Sequence, residues 1–135
     1  MNTPLRILVV DDVHDVADTV VRLLTLMGHD CAAAYGGSEA IQLARRFAPH
    51  VLLIDFGMPG MTGPELLLQL RAVPTLRESV MVAHTAYGDA SHEMIAMEAG
   101  FDAFLVKPVE VADIVQVLFL VASRRGADAS TLVLQ

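Results

Sequence analysis

The chain has 135 residues, of which 54% are hydrophobic and 19% charged, with a formal net charge of −7 and a mean hydropathy of +0.52. This is one apolar domain, long enough to bury a core, and its composition argues against three things. The basic residues are too few and scattered to track nucleic-acid phosphates, the longest apolar run (117–122) is too short to span a membrane, and Cys31, the single cysteine, leaves no internal disulfide.

Along the chain, five short apolar runs alternate with helical patterns. Residues 5–10 (LRILVV) read as a first strand that meets Asp11 and Asp12 at once. Val16, Val20, Val21, Leu23 and Leu24 recur at helical spacing behind it, and Gly28 stands where a left-handed C-cap belongs. The second run, 31–34, is the weakest, and Cys31 reads there as a small buried hydrophobe. Ala40, Ile41, Ala44 and Phe47 mark the second helix. Residues 51–54 (VLLI) form the third strand and end on Asp55, after which glycines and a proline break the chain. Thr62-Gly-Pro-Glu65 has capping-box spacing with proline just inside the third helix. The fourth strand, 80–84, ends at Thr85. The helix behind it carries Met94, Ile95, Met97 and Ala99 and stops at Gly100. Core packing is the expected role of Met94 and Met97, with a share in a surface patch as the alternative. The fifth strand, 103–106, delivers Lys107-Pro108, and a last helix runs from Val111 to Val121, apolar nearly all round.

Near-continuous apolar strands suit a parallel sheet covered on both faces. Five β-α units with right-handed crossovers are too few for a closed eight-fold barrel, so a doubly wound five-stranded sheet of order 2-1-3-4-5 is predicted. Ligands of such sheets bind beyond the carboxyl ends of the strands, at the switch point between strands 1 and 3. There the sequence delivers Asp11 and Asp12, Asp55, Thr85 and Lys107, the last being the only lysine in the chain. Taken singly, each has a bland reading: an N-cap, a loop cap, a turn residue, a solvated side chain. Taken together at successive strand ends, they form a constellation. Three converging carboxylates repel by roughly 4 kcal/mol per pair at ~4 Å and an effective dielectric near 20. A hard divalent cation such as Mg²⁺, with its preference for oxygen ligands and retained waters, relieves that repulsion. Open metal positions, an ammonium and a hydroxyl suit a phosphoryl group. Aspartate is an established phosphoryl-accepting nucleophile, which predicts Asp55 as attacker and Asp11 and Asp12 as metal ligands.

The blocks ILVVDD (7–12), LLIDFGMPGMTG (52–63), AHTA (83–86) and FLVKP (104–108), and the intervals between them, resemble those of bacterial two-component response-regulator receiver domains, across roughly residues 4–123. The resemblance implies a CheY-like, flavodoxin-like fold and a signalling switch, not an enzyme beyond its own phosphotransfer and autodephosphorylation. It implies that Asp55 accepts a phosphoryl group from the phosphohistidine of a sensor histidine kinase or a histidine phosphotransfer protein. Asp11, Asp12, Asp55 and the Phe56 backbone carbonyl would hold Mg²⁺, or Mn²⁺ in its place. Thr85 and Lys107 would contact the phosphoryl oxygens, and the Lys107–Pro108 peptide would be cis. Thr85 would shift on phosphorylation and Phe104, a phenylalanine where the family more often has tyrosine, would turn inward behind it. Gly57 and Tyr87 occupy the positions that tune dephosphorylation in the family. Neither is an acid or amide that would orient water, so a long-lived phosphoryl group is expected.

The face formed by helix 4, strand 5 and helix 5 is where such receivers dock a downstream protein or dimerise, and the apolar last helix fits that use. Residues 1–123 are expected to be the receiver domain and 124–135 a flexible tail, in the cytoplasm, with no nucleic-acid contact and no membrane insertion. The histidines, His84 included, follow no metal-binding pattern. An alternative context is a receiver excised from a hybrid histidine kinase. A rival class is a Mg²⁺ phosphatase of the haloacid-dehalogenase type, but the adjacent aspartates are not its D-x-D. A flavin or nucleotide binder on the same fold would need a glycine-rich phosphate loop, and none is present.

Overall fold

In the computed structural model, which describes residues 4–86, 90–108 and 110–124, strands and helices alternate as the hydrophobic pattern predicts. They are β1 (Arg6–Val10), α1 (His14–Leu26), β2 (Asp30–Ala34), α2 (Gly37–Phe47), β3 (Val51–Asp55), α3 (Gly63–Arg71), β4 (Val80–Thr85), α4 (Ala90–Ala99), β5 (Ala103–Val106) and α5 (Val111–Arg124). A short 3-10 turn at Pro74–Leu76, which the pattern does not announce, joins α3 to β4. All paired strands are parallel and the order is β2-β1-β3-β4-β5, as predicted. Tyr87 and the tail from 125 onward lie outside the described residues.

Successive strand side chains point to opposite faces, and each face carries its own core. Leu8, Val10, Leu52 and Ile54 pack with Ala44 of α2, Leu66 and Leu70 of α3 and Ala96 of α4. Ile7, Val9, Leu53 and Val82 pack instead with Leu24 of α1 and Val117 and Val121 of α5. Each fully buried Leu or Ile contributes about 1.5–3 kcal/mol of transfer free energy. β3 and β4 are buried along their whole length, so the strands that end in Asp55 and Thr85 are the best anchored of the five. β2, at the sheet edge, is only partly covered, and Cys31 there is half-buried rather than buried.

The local punctuation follows the sequence. Thr62 accepts the Glu65 N–H at 3.3 Å while Glu65 Oε1 accepts the Thr62 N–H at 2.8 Å, the reciprocal capping box. Gly28 and Gly100 take φ of 99° and 109°, the left-handed region that glycine enters without a Cβ penalty. At the amino edge of the sheet, His29 Nδ1 accepts the Leu5 N–H and His50 Nδ1 the Arg6 N–H, at 3.1 and 2.9 Å. Asp102 Oδ2 receives both Arg71 of α3, at 2.9 Å, and the Met81 N–H, at 2.8 Å. That bracket between α3 and the starts of β4 and β5 has no motif by which the sequence could announce it.

One expectation is corrected. Met94 and Met97 do not pack in the core: they are 62% and 46% exposed, beside Ile95 at 48%. The small Ala96 sits against the sheet instead, so α4 lies close on its neighbours and its larger side chains splay outward.

The start of α3 lies close against the end of β3. A Cβ on Gly63 would stand 2.9 Å from the Phe56 Cα and 3.2 Å from the Asp55 and Phe56 carbonyl oxygens, all of them backbone atoms that cannot swing aside. Gly63→Ala is therefore expected to destabilise the fold by about 1–3 kcal/mol, as overpacking does. A thermal denaturation midpoint equal to that of the parent would show that the loop after Asp55 yields freely.

Candidate functional site

β1 runs out of the core into Asp11, which is fully buried, and the partly exposed Asp12. β3 ends on Asp55, 8% exposed. Carboxylate oxygens from Asp11, Asp12 and Asp55 all lie within 4.8 Å of one another. Strand order alone produces this meeting, because β1 and β3 are paired neighbours in register, with Val10 opposite Ile54.

The charge is met in part by Lys107. Its Nζ lies 2.7 Å from Asp11 Oδ2 and 3.4 Å from Asp55 Oδ2, so it bridges the two strands. The Lys107 backbone N–H donates to the Thr85 carbonyl at 2.7 Å, and the Lys107–Pro108 peptide is cis, as the resemblance implies. Thr85 itself closes β4 and is 1% exposed. Asp11 Oδ1 accepts the Val13 N–H at 2.9 Å, a turn bond just ahead of α1; the N-cap of that helix is Val13, with no side-chain cap bond, so the N-cap reading of the aspartate pair is not met, and the turn bond occupies only one of the two Asp11 oxygens. Asp55 Oδ1 accepts the Gly57 N–H at 3.3 Å, at the long end of hydrogen-bond range.

The proton affinities record this crowding. The Asp55 pKa is raised from 3.8 to about 6, chiefly by burial, then by the Asp11 charge and by hydrogen bonding with Asp12; Lys107 and the Gly57 N–H pull the other way but do not prevail. For Lys107, burial works to lower the pKa, and the Asp11 hydrogen bond together with the Asp55 and Asp11 charges turns the net shift upward. An ammonium held this firmly still leaves the acidic cluster with excess negative charge. The donors are all hard oxygens, the set that Mg²⁺ prefers. The residues present therefore fit a hard divalent cation, on the strength of their chemistry and of a carboxylate that resists ionising without more positive charge.

The Phe56 carbonyl, which the resemblance adds to that set, accepts the Gly63 N–H at 3.0 Å, with Gly63 packed close against it at the start of α3; that bond engages one of its two lone pairs. The sequence block marks Phe56 only by its place after Asp55 and carries no sign of which way its carbonyl faces.

Phe104 pairs with Ala83 in register and is partly buried against the α2-α3-α4 core. It lies behind the strand end that carries Thr85, between core and surface. At the rim, the His14 and Tyr35 rings stack with centroids 3.8 Å apart, and the Tyr35 hydroxyl donates to Asp18 at 2.6 Å. His84, dismissed by the sequence reading, is fully buried beneath the acids. Its pKa is lowered to about 4 by burial and by the Lys107 charge, against the pull of Asp11 and the Val10 carbonyl. Only its adjacency to Thr85 could have drawn notice to it.

Comparison with known proteins places this geometry. The transcriptional regulatory protein PrrA of Mycobacterium tuberculosis is 34% identical over 127 residues, covering 93% of this chain and 53% of that protein. Response regulator PleD of Caulobacter vibrioides is 33% identical over 105 residues, 78% of this chain and 23% of its own length. The chain thus spans about half, or less, of these longer relatives. Among solved structures, the chemotaxis response regulator CheY4 of Vibrio cholerae superposes with a TM-score of 0.80 at 25% identity, covering 88% of this chain and 99% of that one. A response regulator from Desulfuromonas acetoxidans gives a TM-score of 0.75 at 27% identity over 86% of this chain and 98% of its own. The response regulator receiver domain family matches residues 7–119. With its aspartates gathered at the β1–β3 switch point and this match across most of its length, the chain belongs to the response regulator receiver domain family, the signalling switches of two-component systems.

Proposed function

We infer that Asp55 is the phosphoacceptor and that the chain is a phosphorylation-activated switch. One observation carries this reading: Asp55 shares a pocket with Asp11, Asp12 and the Lys107 ammonium at the carboxyl end of the sheet. The donor is the phosphohistidine of a sensor histidine kinase or of a histidine phosphotransfer protein. An Asp55 carboxylate oxygen forms the new O–P bond as the P–N bond to the donor imidazole breaks. The imidazole nitrogen keeps the bonding electron pair and takes up a proton from solvent. Asp11 and Asp12, with Asp55, would hold Mg²⁺, which supplies positive charge that offsets the repulsion between carboxylates and phosphoryl oxygens.

The chain's own residues do the rest. Asp55, walled by β1 and β4, is held with its Oδ1 on the Gly57 N–H. Lys107 sits 3.4 Å from Asp55 Oδ2, close enough to pass its ammonium from carboxylate to phosphoryl oxygen as charge builds there. The Thr85 hydroxyl is the second donor, and its movement toward the phosphoryl group would open space that Phe104 fills. That exchange changes the α4-β5-α5 face, where Met94, Ile95, Met97, Val106, Val111 and Val115 are exposed. A face of this kind suits a downstream protein or a second copy of the chain. No helix among the described residues is long and apolar enough to cross a membrane, in keeping with a cytoplasmic switch. A second placement, as one unit of a longer protein, is favoured by the length of PrrA, of which the chain spans 53%.

Intact-mass spectrometry after incubation with acetyl phosphate and Mg²⁺ is expected to give a single phosphoryl adduct, lost in Asp55→Asn and lost with chelator. An adduct that survives Asp55→Asn would overturn the assignment. Gly57 and Tyr87 tune the reverse reaction, and neither side chain orients water, so the adduct is expected to be long-lived and Tyr87→Glu to shorten its half-life; equal half-lives would show that this position has no such part.

The raised Asp55 pKa gives a stability test. The folded state holds the Asp55 proton more tightly than the unfolded chain does, so this group costs stability as pH climbs from about 3.8 through about 6, and the cost is complete above that window. Mg²⁺ should therefore raise Tm more at pH 7.5 than at pH 5. Asp55→Asn should raise Tm at pH 7.5 by a few degrees, on the order of 1–2 kcal/mol once screening at the open rim is allowed for. A Mg²⁺ shift independent of pH would mean that Asp55 does not feel the ion.

A further inference from the structure

The end of the sheet opposite the aspartates carries two imidazole rings. His29 stands just ahead of β2 and His50 just ahead of β3, the two strands that flank β1. The backbone pairs there as in any parallel ladder: the Asp30 N–H donates to the Leu5 carbonyl at 2.9 Å and the His50 N–H to the Arg6 carbonyl at 2.8 Å. The rings add something a ladder lacks. His29 Nδ1 accepts the Leu5 N–H at 3.1 Å and His50 Nδ1 accepts the Arg6 N–H at 2.9 Å, so the donors where β1 begins end on imidazole nitrogens. A nitrogen that accepts carries no hydrogen, so each neutral ring has its hydrogen on Nε2. A second proton turns Nδ1 into a donor facing a donor, and the bond is lost. A carbonyl oxygen in the same place would not respond to pH.

We propose that His29 and His50 form an acid-released clasp on the amino end of β1: neutral rings hold the Leu5 and Arg6 N–H groups, and protonation of either ring frees the one it holds. The inference does not depend on the reading of Asp55. The clasped segment is anchored on both sides. The Leu5 side chain is buried, and Arg6 Nε–H donates to the Phe47 and Ala48 carbonyls at 3.0 Å each, fastening the end of α2. Charged side chains on the elements around the rings are Arg6 of β1, Arg22 of α1, Asp30 of β2, the two arginines that close α2, Arg45 and Arg46, and Arg77 with Glu78 ahead of β4. Beyond Ser79, Arg71 and Asp102 pair with each other. Arginine keeps its charge throughout, so imidazole is the group at this end that changes charge near neutrality. Burial lowers the His29 pKa from 6.5. The folded chain therefore binds this proton less readily than the unfolded chain, and the stability His29 lends is whole above about pH 6.5 and declines as pH falls below it. Asp55 has the opposite trend as pH falls from about 6, so the clasp is best read locally.

The test is amide hydrogen exchange read by NMR on the full, isotope-labelled chain at pH 7.5 and pH 5.5, corrected for intrinsic exchange, with the ring nitrogens observed in the same samples. Wild type is compared with His29→Asn and His50→Asn, whose side-chain oxygen can stand in the place of Nδ1 and accepts at either pH. A ring that titrates near its ordinary value once released limits the effect to roughly 10-fold between these two pH values. Protection at Leu5 and Arg6, taken relative to Leu8 of the same strand, is expected to fall roughly 3–10-fold in wild type at pH 5.5. His29→Asn should abolish the fall at Leu5, and His50→Asn the fall at Arg6. Equal relative protection at both pH values in wild type would overturn the proposal. So would rings that carry their hydrogen on Nδ1 at pH 7.5, or asparagine variants that lose protection as wild type does. Should a variant fail to fold, wild type decides alone: ring protonation and amide release with a common midpoint supports the clasp, and protonation without release overturns it.

Discussion

Repulsion among three carboxylates at one end of the sheet is the constraint on which the rest of this structure depends. Asp11, Asp12 and Asp55 are brought within 4.8 Å, where like charges oppose one another by several kcal/mol at protein-like dielectric. A single ammonium bridges two of them and does not balance all three, which is why burial and the Asp11 charge still raise the Asp55 pKa to about 6. The site is a region of stored electrostatic cost that a cation or a change in protonation relieves. A switch needs such an imbalance, because a ligand shifts an equilibrium only by as much as it prefers one state.

The body of the protein makes that imbalance tolerable. β3 and β4 are buried along their length, and two separate cores hold the faces of the sheet, so the strand ends cannot drift apart to relax the charges. The loop after Asp55 is fixed in the same way, with the Gly63 N–H on the Phe56 carbonyl and no room for a side chain between them. The acids rest on that rigid floor, while exposed apolar side chains gather on α4, β5 and α5. At the site itself, the ends of β4 and β5 are tied by the Lys107 N–H on the Thr85 carbonyl at 2.7 Å.

Two readings changed between sequence and structure, each for a local reason. Met94 and Met97 have the spacing of core residues, yet the small Ala96 takes the sheet contact and leaves them outside. His84 belongs to no metal-binding pattern, and its reach under Asp11 depends on β4 lying beside β3 and β3 beside β1.

The sequence by itself determined the order of elements, the capping box at Thr62, the left-handed stops at Gly28 and Gly100, and the carboxyl-end residues Asp11, Asp12, Asp55, Thr85 and Lys107. These are legible because periodicity, turn chemistry and strand-end position are local properties, and because parallel β-α units admit few arrangements. Only the tertiary structure decided which oxygens face one another, that Lys107 lies nearer Asp11 than Asp55, which way the Phe56 carbonyl turns, and what lies beneath the site. Those are matters of ångströms between residues distant in the chain, set by how closely β1, β3 and β4 pack, and no local pattern encodes them.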